Sequence, residues 1–188
     1  MIQLFFLSFY LCCFGRVFFH SLVQAFTHAS YRALEDSSNL INHITSYQRL
    51  EFLGDALLDY LITFFVYQKN QEFSPAEITM LRESLVNNVF YASVVVKYQL
   101  HHYLRYSSVK LGESISAFVN RYKCQMYQQL GRLMNESITE LEAVTIDEID
   151  VPKALADVFE ALIGAIYIDN GFDLDALWRV VYRMIKPE

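Results

Sequence analysis

The chain has 188 residues, which is enough for one domain with a substantial hydrophobic core. It is 54% hydrophobic and 15% aromatic, and it is poor in glycine and proline, so a disordered or collagen-like chain is excluded. The formal net charge of −6 at pH 7 argues against a free-standing module with a strongly basic nucleic-acid surface, but it is compatible with clustered carboxylates that bind divalent cations.

The first 21 residues form an atypical apolar extension. Residues 1–15 carry no charged side chain, yet they are shorter than the roughly 20 residues that span a bilayer. A secretory signal is disfavoured because a basic start and a small-residue cleavage site are both lacking. A membrane or secreted protein is therefore the alternative that only this terminus supports. The three cysteines have neither disulfide nor zinc spacing, which favours a reducing compartment, the cytoplasm or else the nucleus.

The rest of the chain, residues 22–186, is predicted to be an all-α domain. A short helix runs from residue 17 into a loop that covers 35–47. The strongest helix follows at 48–69 and is apolar nearly all round, which is typical of a buried central helix. Ser74, Pro75 and Glu77 form a capping box that opens a helix over 75–87.

The second half continues the helical pattern. Asn87 and Asn88 interrupt the helical pattern before a helix over 89–99, and helical spacing returns over 113–130. Residues of about 135–150 are acidic and irregular, which indicates a surface insertion. Pro152 then opens a helix that ends at Asn170-Gly171, and the last helix covers 174–185.

Two of these apolar helices carry acidic residues on one face. Glu51 and Asp55 are four residues apart in the first helix, and Asp157 and Glu160 are three apart in the second. Buried carboxylates without partners are costly. If the two acidic faces meet, two Mg²⁺ ions would satisfy them and could serve phosphodiester hydrolysis. Spacing alone leaves the simpler interpretation open, in which each acidic pair is a solvated helix face.

Other polar residues near these pairs have two interpretations each. Lys153 could contact a scissile phosphate, or it could form an i,i+4 ion pair with Asp157. Asp59 could support the metal ligands or be a surface charge, and the first is favoured. For His28, a structural hydrogen bond is favoured over a ligand role. Gly54 and Gly164 would let a partner backbone or RNA approach closely.

Aromatic and histidine residues outside the acidic pairs are interpreted as structural. Five aromatic side chains have core-like spacing and are predicted to pack in the interior rather than stack on bases: Phe64, Phe65, Tyr67, Phe90 and Tyr91. His101 and His102 are predicted to lie in an exposed turn.

The segment Gln48-Arg49-Leu50-Glu51-Phe52-Leu53-Gly54-Asp55-Ala56 resembles the nine-residue hallmark of ribonuclease III domains at every position. Three further blocks resemble the family in the expected order: Phe26 to Tyr31, Leu81 to Asn88, and the block from Lys153 to Gly164. The resemblance covers about residues 22–186 and implies the helical fold of the ribonuclease III endonuclease domain.

The resemblance also implies a function and a site. A ribonuclease III domain cleaves double-stranded RNA and leaves a 5′ phosphate and a short 3′ overhang. Its four metal-binding carboxylates correspond to Glu51, Asp55, Asp157 and Glu160, which would hold two Mg²⁺ ions or, as a substitute, Mn²⁺. Family domains work in pairs, and Phe52 resembles the residue that inserts into the partner domain.

Within the family the chain most resembles the second ribonuclease III domain of Dicer-type proteins. The residues that carry this resemblance are Gln24 to Tyr31, the GDALLDYLIT run, the LVNN run from Leu85 to Asn88, and the acidic insertion that ends in Val151-Pro152-Lys153-Ala154. In that subfamily a lysine at the position of Lys153 also lies near the active site. The resemblance implies small-RNA processing with partner proteins that bind double-stranded RNA, and weak RNA affinity for the isolated chain. A non-catalytic scaffold for dimerisation or RNA binding is the alternative.

Overall fold

The computed structural model describes residues 16–31, 45–69, 71–134 and 151–186, and within these ranges the chain is all-α, as predicted. The only pairing of extended segments in these ranges is an isolated bridge between Thr27 and Arg105. Most of the apolar extension and the predicted acidic insertion lie outside the described residues. The helices are, in chain order, α1 (Arg16–Ala25), α2 (Gln48–Lys69), α3 (Pro75–Leu85), α4 (Asn88–Lys97), a 3₁₀ helix (Leu100–Tyr103), α5 (Val109–Met134), α6 (Lys153–Asp169) and α7 (Leu174–Ile185).

Local sequence signals set most helix boundaries. The predicted capping box is present, because the Ser74 hydroxyl accepts from the Glu77 N–H at 3.4 Å and the Glu77 carboxylate accepts from the Ser74 N–H at 2.7 Å. The Asn87 side chain accepts from the N–H of Phe90 at 2.8 Å and starts α4 at the predicted break. Helix α5 begins earlier than the predicted residue 113, because the Ser108 hydroxyl accepts from the Leu111 N–H.

Helix α6 lies at the centre of the domain. All residues from Ala154 to Ile166 are buried, and helices α1, α2, α4 and α7 pack against α6. A helix that is surrounded on every side must be apolar nearly all round, which is the pattern of its sequence. Any charged side chain on α6 in this stretch is therefore placed in the core, and Asp157 and Glu160 are the two acidic residues there.

Helices α2 and α6 cross in direct backbone contact at two glycines. A Cβ atom on Gly54 would lie 1.8 Å from the carbonyl oxygen of Glu160, and one on Gly164 would lie 2.4 Å from the carbonyl oxygen of Leu50. Both distances are far below van der Waals contact. The close approach predicted at these glycines is therefore made by the backbone of the opposite helix. The alternative prediction, that RNA approaches here, is wrong because that backbone fills the space.

The prediction for the aromatic residues is only partly correct. Tyr91 is buried against Phe159, and Phe65 packs on Trp178. Phe64 and Tyr67, however, are 47% and 66% exposed. They lie off the face of α2 that contacts the core, which is formed by Leu50, Gly54, Leu58, Leu61, Ile62 and Val66.

The two neighbouring histidines differ in their surroundings. His102 is exposed, as predicted, but His101 is partly buried, and its burial and the charge of His102 lower its pKa. The exposed-turn prediction is therefore wrong for His101, since the 3₁₀ helix folds it back against the core. Among the described helices, none combines the length and the apolar character required to cross a bilayer.

Candidate active site

The crossing of α2 and α6 brings acidic residues from both helices together. Glu51 lies in the first turn of α2, and Asp157 and Glu160 lie in the first half of α6. Carboxylate oxygens of these three residues all lie within 4.8 Å of one another. Three of the four carboxylates predicted from the sequence thus converge on one point.

The fourth predicted carboxylate, Asp55, lies one turn after Glu51 and is exposed to solvent. It is outside the close group of three among the described residues. Its negative charge nevertheless helps to raise the pKa of Glu160, second only to burial, so Asp55 adjoins the group on its solvent side.

Burial makes it energetically unfavourable for these carboxylates to be charged in the metal-free chain. Asp157 and Glu160 are 7% and 8% exposed. Burial, together with the negative charges of Asp55, Asp157 and Glu51, raises the pKa of Glu160 to about 8. Burial also raises the pKa of Asp157, although a hydrogen bond from Lys153 opposes this shift.

Lys153 supplies a positive charge to the group. Its Nζ donates to Asp157 Oδ1 at 2.7 Å and to Glu51 Oε1 at 2.9 Å, and these two hydrogen bonds raise its pKa. Of the two interpretations of Lys153, the ion pair with Asp157 is therefore present, and it extends across the crossing to Glu51. The lysine side chain is 66% exposed, so this cation reaches the carboxylates from the solvent side.

The donor set fits a hard divalent cation. All three converging ligand atoms are carboxylate oxygens, which Mg²⁺ and Mn²⁺ prefer over nitrogen and sulfur. The single ammonium group of Lys153 balances only part of their charge. A divalent cation would therefore relieve the repulsion that raises the pKa of Glu160.

A family model described as the ribonuclease III domain matches residues 48–171, which include the four acidic residues and Lys153. The chain belongs to the ribonuclease III family. Ribonuclease III domains are generally metal-dependent, which agrees with the carboxylate group at the helix crossing.

Curated relatives of this ribonuclease III domain are Dicer endoribonucleases. The chain is 44% identical over 167 residues to Endoribonuclease Dicer-S of Xenopus laevis, covering 88% of this chain and 8% of that protein. It is 42% identical over 171 residues to Endoribonuclease Dcr-1 of Drosophila melanogaster, covering 89% of this chain and 7% of that protein. The chain thus spans less than a tenth of the length of these relatives.

Solved structures support the same fold. The nuclease domain of ribonuclease III from Campylobacter jejuni superimposes with a TM-score of 0.58 at 24% sequence identity. The match covers 88% of this chain and 84% of that one. The all-α ribonuclease III fold expected from the sequence is therefore confirmed.

Tyr47 is a residue of this ribonuclease III site that the sequence did not predict. It immediately precedes the nine-residue hallmark, and its hydroxyl donates to Asp157 Oδ2 at 3.0 Å. Its side chain is buried, and burial and the charge of Asp157 strongly raise its pKa, so the phenol remains a hydrogen-bond donor. The only sequence signal was its position next to the hallmark, because the contact spans 110 residues of chain.

Two further polar residues named from the sequence contact other groups. Asp59 forms an ion pair with Arg82 of α3 and is not one of the converging carboxylates, so the favoured role beside the metal ligands has no contact to support it. His28 Nδ1 accepts from the N–H of Ser30 at 3.0 Å, and its ring lies edge-on to Tyr47. The structural interpretation of His28 agrees with these contacts.

Phe52 lies on a surface of α2 next to the acidic line. It is 81% exposed, and Tyr60, Phe64 and Tyr67 are also exposed on this helix. We call these four residues the α2 aromatic stripe. The Tyr60 and Phe64 rings stack at 6.0 Å. Exposed aromatic residues in such a row are typical of a protein-protein interface.

Proposed function

We propose that this domain is a metal-dependent endonuclease that cleaves double-stranded RNA and leaves 5′ phosphates and short 3′ overhangs. The observation that carries this proposal is the meeting of Glu51, Asp157 and Glu160 within 4.8 Å where α2 crosses the buried and otherwise apolar stretch of α6. An arrangement that is so unfavourable in energy is expected where the carboxylates bind a cation.

Each residue of the site has a proposed role. Glu51, Asp157 and Glu160 bind cations directly, and the exposed Asp55 completes a set of ligands for two Mg²⁺ ions, for which Mn²⁺ substitutes. Bound there, the ions would lower the pKa of an attacking water and neutralise charge on the phosphate. Lys153, which reaches the group from solvent, contacts the phosphate once cations replace it beside the carboxylates.

A second ribonuclease III domain is the proposed partner of the α2 aromatic stripe. One of the Campylobacter jejuni structures is described as having a region involved in dimer formation. Phe52, the most exposed member of the stripe, is proposed to insert into the partner domain, which is either a second copy of this chain or a domain of another chain. Pairing places two sites on one duplex, each cutting one strand.

The relatives suggest the biological setting. Because the chain resembles Dicer endoribonucleases, we propose that it acts in the processing of small RNAs as the counterpart of their second ribonuclease III domain. The domain is proposed to cover residues 22–186 and to work in the cytoplasm or nucleus. With a net charge of −6, the isolated chain should bind RNA weakly and depend on double-stranded-RNA-binding partner proteins.

The test is cleavage of end-labelled duplex RNA by the purified chain, with Mg²⁺ or Mn²⁺ and with EDTA. Cleavage should require the metal and be abolished in Glu160→Gln, while the matched variant Glu113→Gln, an exposed carboxylate on α5, cleaves normally. A wild-type chain that binds duplex RNA and forms dimers but does not cleave in any metal would instead be a non-catalytic scaffold.

A further inference from the structure

Tyr47 contacts both helices that form the carboxylate group. Its backbone carbonyl accepts from the N–H of Glu51 at 2.9 Å, in the first turn of α2. Its hydroxyl donates to Asp157 Oδ2 at 3.0 Å, in α6. Its own N–H donates to the carbonyl of Thr27 at 2.9 Å, which fixes the residue to the segment after α1. One residue therefore links the backbone of Glu51 to the carboxylate of Asp157 and both to the rest of the fold.

The two oxygens of Asp157 have different partners. Oδ1 accepts from Lys153, which also contacts Glu51, whereas Oδ2 accepts from Tyr47. The ammonium of Lys153 is a cation and must compete with a metal ion for Oδ1. The phenol of Tyr47 is neutral, so it carries no positive charge that an entering divalent cation would repel. Its hydrogen bond can persist and keep Oδ1 directed towards Glu51.

We propose, on the basis of the metal-dependent function above, that Tyr47 is a positioning residue that orients Asp157 for cation binding through the hydrogen bond from its hydroxyl. Hydrogen bonds to ligating carboxylates fix their orientation, and losing one costs about 10- to 100-fold in metal affinity or activity. The phenol does not itself bind the metal or the RNA.

A purely structural role for Tyr47 predicts a different result. The side chain is 3% exposed and its ring packs edge-on against His28, so the ring itself supports the core. Tyr47→Phe keeps the ring and removes only the hydroxyl. Tyr91→Phe is the matched control, because Tyr91 is also buried beside Glu160 but its hydroxyl has no hydrogen-bond partner among the described residues.

The experiment measures Mn²⁺ binding by the full chain without RNA, from the electron paramagnetic resonance signal of the free ion. Tyr47→Phe should raise the dissociation constant for Mn²⁺ about tenfold, while Tyr91→Phe leaves it unchanged. In an Asp157→Ala background, Tyr47→Phe should cause no further loss, because the hydroxyl acts only through Asp157. Circular dichroism and thermal unfolding check that each variant is folded.

Cleavage of duplex RNA supplies a second readout. Tyr47→Phe should raise the Mg²⁺ concentration at half-maximal rate about tenfold, with much of the maximal rate recovered at saturating Mg²⁺. Mn²⁺ binding that is unchanged in Tyr47→Phe, or weakened equally by both tyrosine variants, would overturn the role of Tyr47 alone. If wild-type chain bound no Mn²⁺, or bound it equally well without Asp157, the proposed metal-dependent function would fail first.

Discussion

The backbone contact between α2 and α6 can be tested with a single methyl group. In Gly54→Ala the new Cβ would lie 1.8 Å from the carbonyl oxygen of Glu160 and 2.6 Å from its carbonyl carbon. Real Cβ atoms essentially never approach closer than 3.0 Å, so the two helices must separate by more than about 1 Å. No side chain can rotate away, because the atoms in conflict belong to the backbone of α6.

The expected cost follows from this geometry. Overpacking a core commonly costs about 1–3 kcal/mol when side chains can adjust, and here they cannot, so we expect a loss of at least about 3 kcal/mol. A domain is typically stable by only about 5–15 kcal/mol, which makes this a large share. Because the displaced carbonyl belongs to Glu160, the carboxylate group also opens, and Mn²⁺ affinity should fall with stability.

The control is Gly112→Ala on α5. Its Cβ would lie 3.1 Å from the ring of Tyr106, a side chain that can shift by a few tenths of an ångström. Replacing glycine by alanine inside a helix gains about 0.5–1 kcal/mol, so the net change should stay within about 1 kcal/mol of zero. Mn²⁺ binding should not change.

Urea unfolding followed by circular dichroism gives the free energy of unfolding of each variant, and the electron paramagnetic resonance titration gives Mn²⁺ affinity. If Gly54→Ala were as stable as Gly112→Ala and bound Mn²⁺ like wild type, the helices would not be in backbone contact. The two glycines would then not set the distance between the acidic pairs.

Three other outcomes are expected. The pKa of Glu160 is raised to about 8 in the folded chain, so the free energy of unfolding in EDTA should fall as the pH rises from about 4.5 to 8, and Glu160→Gln should flatten this fall. Lys153→Met should lower the free energy of unfolding in EDTA by about 1 kcal/mol yet strengthen Mn²⁺ binding, because a competing cation is gone; weaker binding would contradict the competition. Phe52→Asp should weaken self-association in sedimentation equilibrium without lowering the free energy of unfolding, since Phe52 is 81% exposed. The control variant Val109→Asp, at a similarly exposed position, should change neither self-association nor the free energy of unfolding.

Much of the fold followed from local signals in the sequence. The capping box at Ser74 and the asparagine break at Asn87 located the starts of α3 and α4 to within one residue, because caps depend on residues only three apart. The helix ends, predicted at residues 87 and 99, lie two residues earlier, at Leu85 and Lys97. The start of α5 was missed because Ser108 lies in a run of polar residues where a cap is not distinctive. Phe64 was assigned to the core because a helix as apolar as α2 does not reveal which face is exposed.

The site was predictable in its carboxylates but not in the contacts between them. The hallmark around Glu51 and the late acidic pair named the ligands. The pairing of Lys153 with Glu51 and of Tyr47 with Asp157, however, depends on how closely the helices cross. That distance is set by glycines whose missing side chains give no periodic signal.

The burial of Glu160 has a consequence for the thermodynamics of metal uptake. With a pKa of about 8, this carboxyl holds a proton at neutral pH in the metal-free chain, and a cation must expel it to bind. Uptake of Mn²⁺ should therefore release protons, and its measured heat should differ between buffers of different ionisation enthalpy. A slightly more alkaline medium would load the domain at lower metal concentration, so the occupancy of the site responds to proton and metal concentrations together.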